Sequence, residues 1–218
     1  MTSGNHLGTT RRTVRLAGPP ELTCTCVLPS LGELVAGGLD LRVTLGRPAE
    51  QLLEGLVADA FDIVVSTIQP ADPAVTATFL FEEEFVLVAA PGAADRVDLD
   101  RLRNHPAEPP PVGLIAFSED LPIVRGFWRA AFGAPAPEQA AAVVPDLRGV
   151  LELATAGAGM TVLPRYLCRS DLESGRLVSL FDPSPPPSNS IYLATRMGGS
   201  TEAVEAVARR LGNAASRW

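Results

Sequence analysis

Between Thr13 and Ser66 the hydrophobic pattern switches repeatedly between a period of two and a period near 3.6, and this alternation restricts the fold more than any other feature. Thr13-Val14-Arg15-Leu16-Ala17-Gly18 alternates and stops at glycine, as a strand running into a turn does. Pro19-Pro20-Glu21 then opens a helix, with proline in the first turn and an acid at the positive end of the dipole. Cys24, Val27, Leu28, Leu31, Leu34 and Val35 give that helix an apolar face, Pro29 should bend it, and Gly37-Gly38 closes it. Leu39–Gly46 reads as a second strand with Leu41, Val43 and Leu45 on one face. Pro48–Ala60 reads as a helix with Leu52, Leu53, Leu56 and Val57 inward. Phe61-Asp62-Ile63-Val64-Val65-Ser66 is nearly continuous in apolar residues, the mark of a strand covered on both faces of a parallel sheet. Strand, helix, strand, helix, strand predicts a doubly wound α/β unit.

Pro70–Pro73 interrupts this unit. Two strand-like runs follow, Thr78–Phe81 and Phe85–Ala90, and the Glu82-Glu83-Glu84 between them reads as a solvated edge. A second set of elements is predicted beyond: a short helix near Leu99–Arg103, a proline-rich loop at 106–111, strand Val112–Phe117 and helix Pro122–Phe132. Strand Ala140–Val144, helix Asp146–Ala156 and strands at Met160–Leu163 and Arg176–Leu180 continue it. After the linker Pro183–Pro187 come strand Ser190–Thr195 and helix Ser200–Gly212, with Ala203, Val204, Val207, Ala208 and Leu211 on one face. Two α/β units with two linkers, and a last strand and helix left over, imply a chain that crosses between lobes twice. Residues 1–12 have no periodicity and read as a disordered tail or expression remnant.

Composition removes several functions. The 218 residues carry a formal charge of −7, and all 18 cationic side chains are arginine. A basic face for phosphates is therefore not expected, and neither a Schiff-base nor a P-loop lysine is available. Three cysteines, Cys24, Cys26 and Cys168, without CxxC spacing do not make a disulfide scaffold or zinc site, and read as thiols in a reducing cytoplasm. The two histidines, His6 and His105, lie in a tail and beside Pro106, and no GxSxG or HExxH pattern occurs. Gly157-Ala158-Gly159 begins like a dinucleotide fingerprint but has Val162 at the third glycine position and stands in a helix-to-strand order. No catalytic apparatus, cofactor or metal site is expected, and no membrane span.

In open α/β sheets, ligands sit outside the carboxyl ends of the strands, where helix N-termini present free N–H groups. Four strand-to-helix turns qualify: Gly18-Pro19-Pro20-Glu21, Ser66-Thr67-Ile68, Phe117-Ser118-Glu119-Asp120 and Pro145-Asp146-Leu147-Arg148. Ser66, Thr67 and Ser118 offer hydrogen bonds to a small polar ligand. The same residue types are also ordinary caps and turn formers.

Several segments, taken in order, resemble the effector-binding domain of LysR-type transcriptional regulators. These are Val27-Leu28-Pro29, the run Leu52-Leu53-Glu54-Gly55-Leu56 leading to Phe61-Asp62-Ile63-Val64-Val65, the strand 81–88, and Leu153–Pro164 with its Ala156-Gly157-Ala158-Gly159-Met160 core. Leu172, Gly175-Arg176-Leu177-Val178 and Ile191-Tyr192-Leu193 follow. The resemblance implies a type 2 periplasmic-binding-protein fold: α/β, two Rossmann-like lobes joined by two crossover strands. It assigns residues 13–84 plus 190–218 to lobe I and 85–189 to lobe II. It further implies a cytoplasmic, non-catalytic sensor that binds a small-molecule inducer between the lobes, works as a homodimer or homotetramer, and reaches DNA only through an N-terminal winged helix-turn-helix missing from this chain. Residues about 21–46 would pair with a neighbour. The inducer positions carried over are Pro19, Pro20, Glu21, Ser66, Thr67, Phe117, Ser118, Asp146 and Arg148. The first turn often bears Ser or Thr in the family; here Pro19-Pro20-Glu21 stands there. With Glu119 and Asp120 it weakens the expectation of a carboxylate inducer, Arg148 offsets it, and an amine-bearing or neutral ligand becomes an option. The alternatives on the same fold are a stand-alone solute-binding protein and a small-acid lyase or dehydratase using Glu119 or Asp146 beside Ser66 or Thr67.

Overall fold

The computed structural model describes residues 13–108 and 110–218, so the expected tail at 1–12 lies outside the described residues. The chain forms two compact units. One takes in the described residues through Pro19, Cys26–Phe81 and Ile191–Trp218; the other takes in Pro20–Thr25 and Glu82–Ser190.

In the first unit, β1 (Thr13–Gly18) lies between β2 (Asp40–Leu45) and β3 (Ile63–Ser66) with both pairings parallel, and β9 (Ser188–Arg196) runs antiparallel to β3. All four residues of β3 are buried, as expected of a strand covered on both faces. Helix α3 (Ala49–Val57) buries Leu52 and Leu56 against Ala17, Phe61, Val64 and Ala194. Val57, expected inward, is 41% exposed because α3 ends there. Gly55 in this helix is dictated by packing: a Cβ would lie 2.6 Å from the Phe61 ring. Asp62, the acid that precedes the apolar strand, accepts hydrogen bonds from the Arg15 backbone N–H at 2.8 Å and from its guanidinium at 2.7 and 3.1 Å. It thereby locks the start of β3 to β1.

The first helical run departs from a single bent helix. A short α1 (Pro20–Leu22) passes into one π turn over Thr23–Val27 before α2 (Leu28–Ala36). Pro29 has no N–H to donate and would clash with the carbonyl four residues earlier, so the wider turn absorbs the irregularity. Leu31 is fully buried, and helix α9 (Glu202–Ala215) is tied to this run through Arg210, which donates 2.8 Å to the Ser30 carbonyl and pairs with Glu33 at 2.9 Å.

The two runs predicted around the three glutamates are one strand, β4 (Val75–Ala89), which passes straight through them. Glu82 and Glu84 are exposed, but Glu83 is only 5% exposed, so the expectation of a solvated edge fails for it. The reason is the period of two: Phe81, Glu83, Phe85 and Leu87 share one side of the strand.

In the second unit the end of β4 is buried on both faces, Leu87 and Ala89 in one core and Val86 and Val88 in the other. It is flanked by β7 (Met160–Pro164) and β8 (Val178–Phe181), both antiparallel to it. The strands expected at Val112–Phe117 and Ala140–Val144 shrink to a parallel two-residue pair, β5 (Ile115–Ala116) and β6 (Ala142–Val143). Helices α4 (Pro91–Ala94) and α5 (Leu99–Asn104) precede α6 (Pro122–Phe132), which buries Phe127 and Trp128; α7 (Leu147–Thr155) buries Leu147, Val150 and Ala154. Helix α8 (Arg165–Glu173) was not anticipated, because its apolar residues are sparse. Gly159 is required: a Cβ would overlap the carbonyl oxygen of Gly113, which accepts the Met160 N–H at 2.9 Å.

Candidate functional site

In the second unit Asp146 and Arg148 stand at the start of α7, and Glu21 at the start of α1 lies within reach of both their charges; Pro20 opens α1. Asp146 is the N-cap of α7; its carboxylate accepts the Arg148 N–H at 2.9 Å and holds the Arg148 guanidinium through Nε at 2.9 Å and Nη2 at 2.5 Å. Arg148 Nη1 in turn donates to the Cys24 sulfur at 3.4 Å, joining the start of α7 to the π turn after α1. The Arg148 guanidinium holds the Asp146 carboxyl below the usual range, and Arg148 itself stays cationic throughout.

Glu21 is half-buried. Burial pushes its carboxyl up, Asp146 adds to the shift, and the Glu21 N–H and the Arg148 charge act against it. Glu83 lies near enough for Glu21 to raise it further. Burial is the main cause, and it brings Glu83 to about 7, against hydrogen bonds from the Tyr166 hydroxyl at 2.9 Å and from Asn189. Thr23 is fully buried, and its hydroxyl has no hydrogen-bond partner. Nothing in the residue pattern marks Thr23; Glu83 was recoverable from strand parity.

The other expected positions do different work. Phe117 packs half-buried against the core containing Val86, Val88 and Leu147, and the Ser118 carbonyl accepts the Leu121 N–H at 3.1 Å. Pro19, Ser66 and Thr67 belong to the first unit. The Ser66 hydroxyl is engaged within its own turn, donating to the Ile68 carbonyl at 2.6 Å and accepting the Ile68 N–H at 3.1 Å, while Thr67 is half-buried. The three cysteines form no disulfide with one another. Cys168 is buried, which pushes its thiol up to about 11. Among the described residues, no helix is long and apolar enough to cross a membrane.

Comparison with known proteins decides the family. Residues 7–216 match the LysR substrate binding domain. The chain belongs to that family. It is 44% identical over 225 residues to the HTH-type transcriptional regulator AbaB of Streptomyces antibioticus, an alignment covering 99% of this chain and 73% of AbaB. The C-terminal domains of a LysR family protein from Agrobacterium tumefaciens superpose with a TM-score of 0.75 at 20% identity, covering 94% of this chain and 97% of theirs. The regulatory domain of HypT from Salmonella typhimurium gives 0.74 at 18% identity, covering 97% and 99%. Full-length LysG from Corynebacterium glutamicum, solved with bound effector Arg, gives 0.75 at 17%, covering 93% of this chain and 68% of LysG. The fold is therefore the type 2 periplasmic-binding-like fold, and this LysR domain is the effector-binding regulatory domain of a transcriptional regulator. Neither a solute-binding protein nor a lyase is favoured, since the relatives are regulators.

Proposed function

We propose that this LysR domain senses a small molecule at a surface that includes the starts of α1 and α7, with Glu21, Asp146 and Arg148 as contact residues. Pro20, Phe117 and Ser118 belong to the same unit. The observation that carries this reading is the Asp146–Arg148–Cys24 chain of contacts, which fixes a charged pair at the start of α7 against the π turn that follows α1. Binding acts without conversion: ligand affinity differs between two arrangements of the regulator, and that difference alters an assembly that reaches DNA through a domain outside this chain. The protein works in the cytoplasm as a homodimer or homotetramer. Support for the pairing comes from Val35 on α2, 46% exposed, and Val43 on the edge strand β2, 36% exposed. Leu31, by contrast, is core, so a charge at Val35 or Val43 is the sound probe of association.

The test is a melting screen of the 218-residue chain against small metabolites, with mass analysis of each stabilising compound after incubation. A compound that stabilises the wild type, loses that effect in Arg148→Ala and is recovered unchanged supports the reading. Conversion of the compound, or stabilisation indifferent to Arg148→Ala and Glu21→Gln alike, overturns it.

A further inference from the structure

We propose that Glu83 is a proton-operated brace on β4 and β9, two strands along which the chain passes between its units: neutral, it holds them together, and ionised, it lets them part. The proposal is independent of the effector-binding reading above. The chain passes from the first unit to the second between Phe81 and Glu82, within β4, and back between Ser190 and Ile191, within β9. Just inside the second unit the two segments are tied. The Phe85 N–H donates to the Pro187 carbonyl at 2.9 Å, and the Ser190 hydroxyl donates to the Glu82 carboxylate at 2.7 Å. That register sets Asn189 opposite Glu83, each of them two residues from a crossing. Tyr166 at the start of α8 adds a third element, its hydroxyl donating to Glu83 at 2.9 Å.

The surroundings of Glu83 make this contact sensitive to a proton. The residue is only 5% exposed, and its partners, Tyr166 and Asn189, are neutral donors. No charge nearby relieves it. Glu21 on α1 acts on it with the same sign. Arg165, which precedes Tyr166 on α8, is engaged by Glu84 at 3.5 Å and Asp182 at 2.5 Å. Glu82 and Glu84, its neighbours on β4, are exposed to solvent. A buried carboxylate without a cation is costly to ionise, and burial brings this one to about 7. Once ionised, it gains by reaching water, and the nearest route is separation of β4 from β9 at Glu83 and Asn189. The ties to Pro187 and Ser190 open with it. Uptake of a proton removes that gain and closes the pair.

Hydrogen–deuterium exchange of the 218-residue chain from pH 6 to pH 8, corrected for intrinsic rates and repeated at low urea concentrations, tests this. A carboxyl at about 7 in the closed pair and 4.5 in the open one makes opening about tenfold more frequent across that range. The expected result is that rise in segments 82–86 and 187–191, insensitive to urea as a local opening is, and absent in Glu83→Gln. Tyr166→Phe, which removes a bond favouring the charged form, should move the rise to higher pH. A rise that steepens with urea, and so belongs to global unfolding, overturns the proposal. So does a rise that persists in Glu83→Gln, or one that keeps its midpoint in Tyr166→Phe.

Discussion

The Tyr166 hydroxyl donates a 2.9 Å hydrogen bond to the Glu83 carboxylate, inside a strand where both glutamate neighbours are exposed. Burial costs the charged form more than this bond and that from Asn189 return, so Glu83 titrates near 7 instead of 4.5. An acid raised in the folded state holds its proton longer there than in the unfolded chain, so stability falls as pH rises from about 4.5 to about 7 and the full penalty remains above. That difference corresponds to about 3 kcal/mol as an upper figure. Glu83→Gln should keep the Tyr166 bond and remove the penalty. Its melting temperature relative to wild type should climb between pH 5 and pH 8; a constant difference across that range would contradict the assignment.

Asp62 titrates in the other direction. Partial burial opposes its charge, but hydrogen bonds from the Arg15 side chain and backbone, with the Arg15 and Arg196 charges, hold it below the usual range. Such stability is present above the unfolded value near 4 and is lost as pH falls through the folded value. Asp62→Asn should cost about 1–2 kcal/mol at pH 7, in line with hydrogen bonds to a charged group. The gap from wild type should close in denaturant titrations below about pH 4.

Two glycines in the family-like segments differ in how far their neighbours can yield. At Gly55 the obstacle is the Phe61 ring, and at Gly159 it is the Gly113 carbonyl. Gly55→Ala should cost about 1–3 kcal/mol, with part of the loss recovered by adding Phe61→Leu. Gly159→Ala should cost more, because backbone must move and the Met160 N–H loses its acceptor. Urea midpoints of the three variants check the order.

Thr23 gives a prediction of opposite sign. A buried hydroxyl without a partner carries an uncompensated cost of about 1–3 kcal/mol, so Thr23→Val, similar in shape, should raise the melting temperature by about 2–4 °C per kcal/mol recovered. A lower melting temperature in the free chain would show that the hydroxyl is satisfied after all.

Much of this architecture is legible in the sequence because local pattern and tertiary environment agree. Thr13–Gly18 and Phe61–Ser66 alternate or run apolar as their burial demands, and Asp146 precedes α7 as a cap should. Legibility fails where neighbours distant in sequence decide the outcome. Strand parity points Glu83 inward, but no local feature of three successive glutamates announces the partners it meets there, Tyr166 and Asn189. Helix α8 hides for the reverse reason: it buries Tyr166, Cys168 and even Asp171, so its inward face does not read as apolar. At the candidate site the residue types at both helix starts were readable, but not that Arg148 pairs with Asp146 and reaches Cys24.

The central claim is that a small molecule is sensed at the starts of α1 and α7. Hydrogen–deuterium exchange of the 218-residue chain, with and without the compound that raises its melting temperature most, tests it directly. The account predicts slowed exchange at backbone amides in residues 21–24 and 147–149, abolished in Glu21→Gln. Protection confined elsewhere, for instance to the cavity lined by Arg96, Arg101 and His105, with no change at α1 or α7, would contradict it.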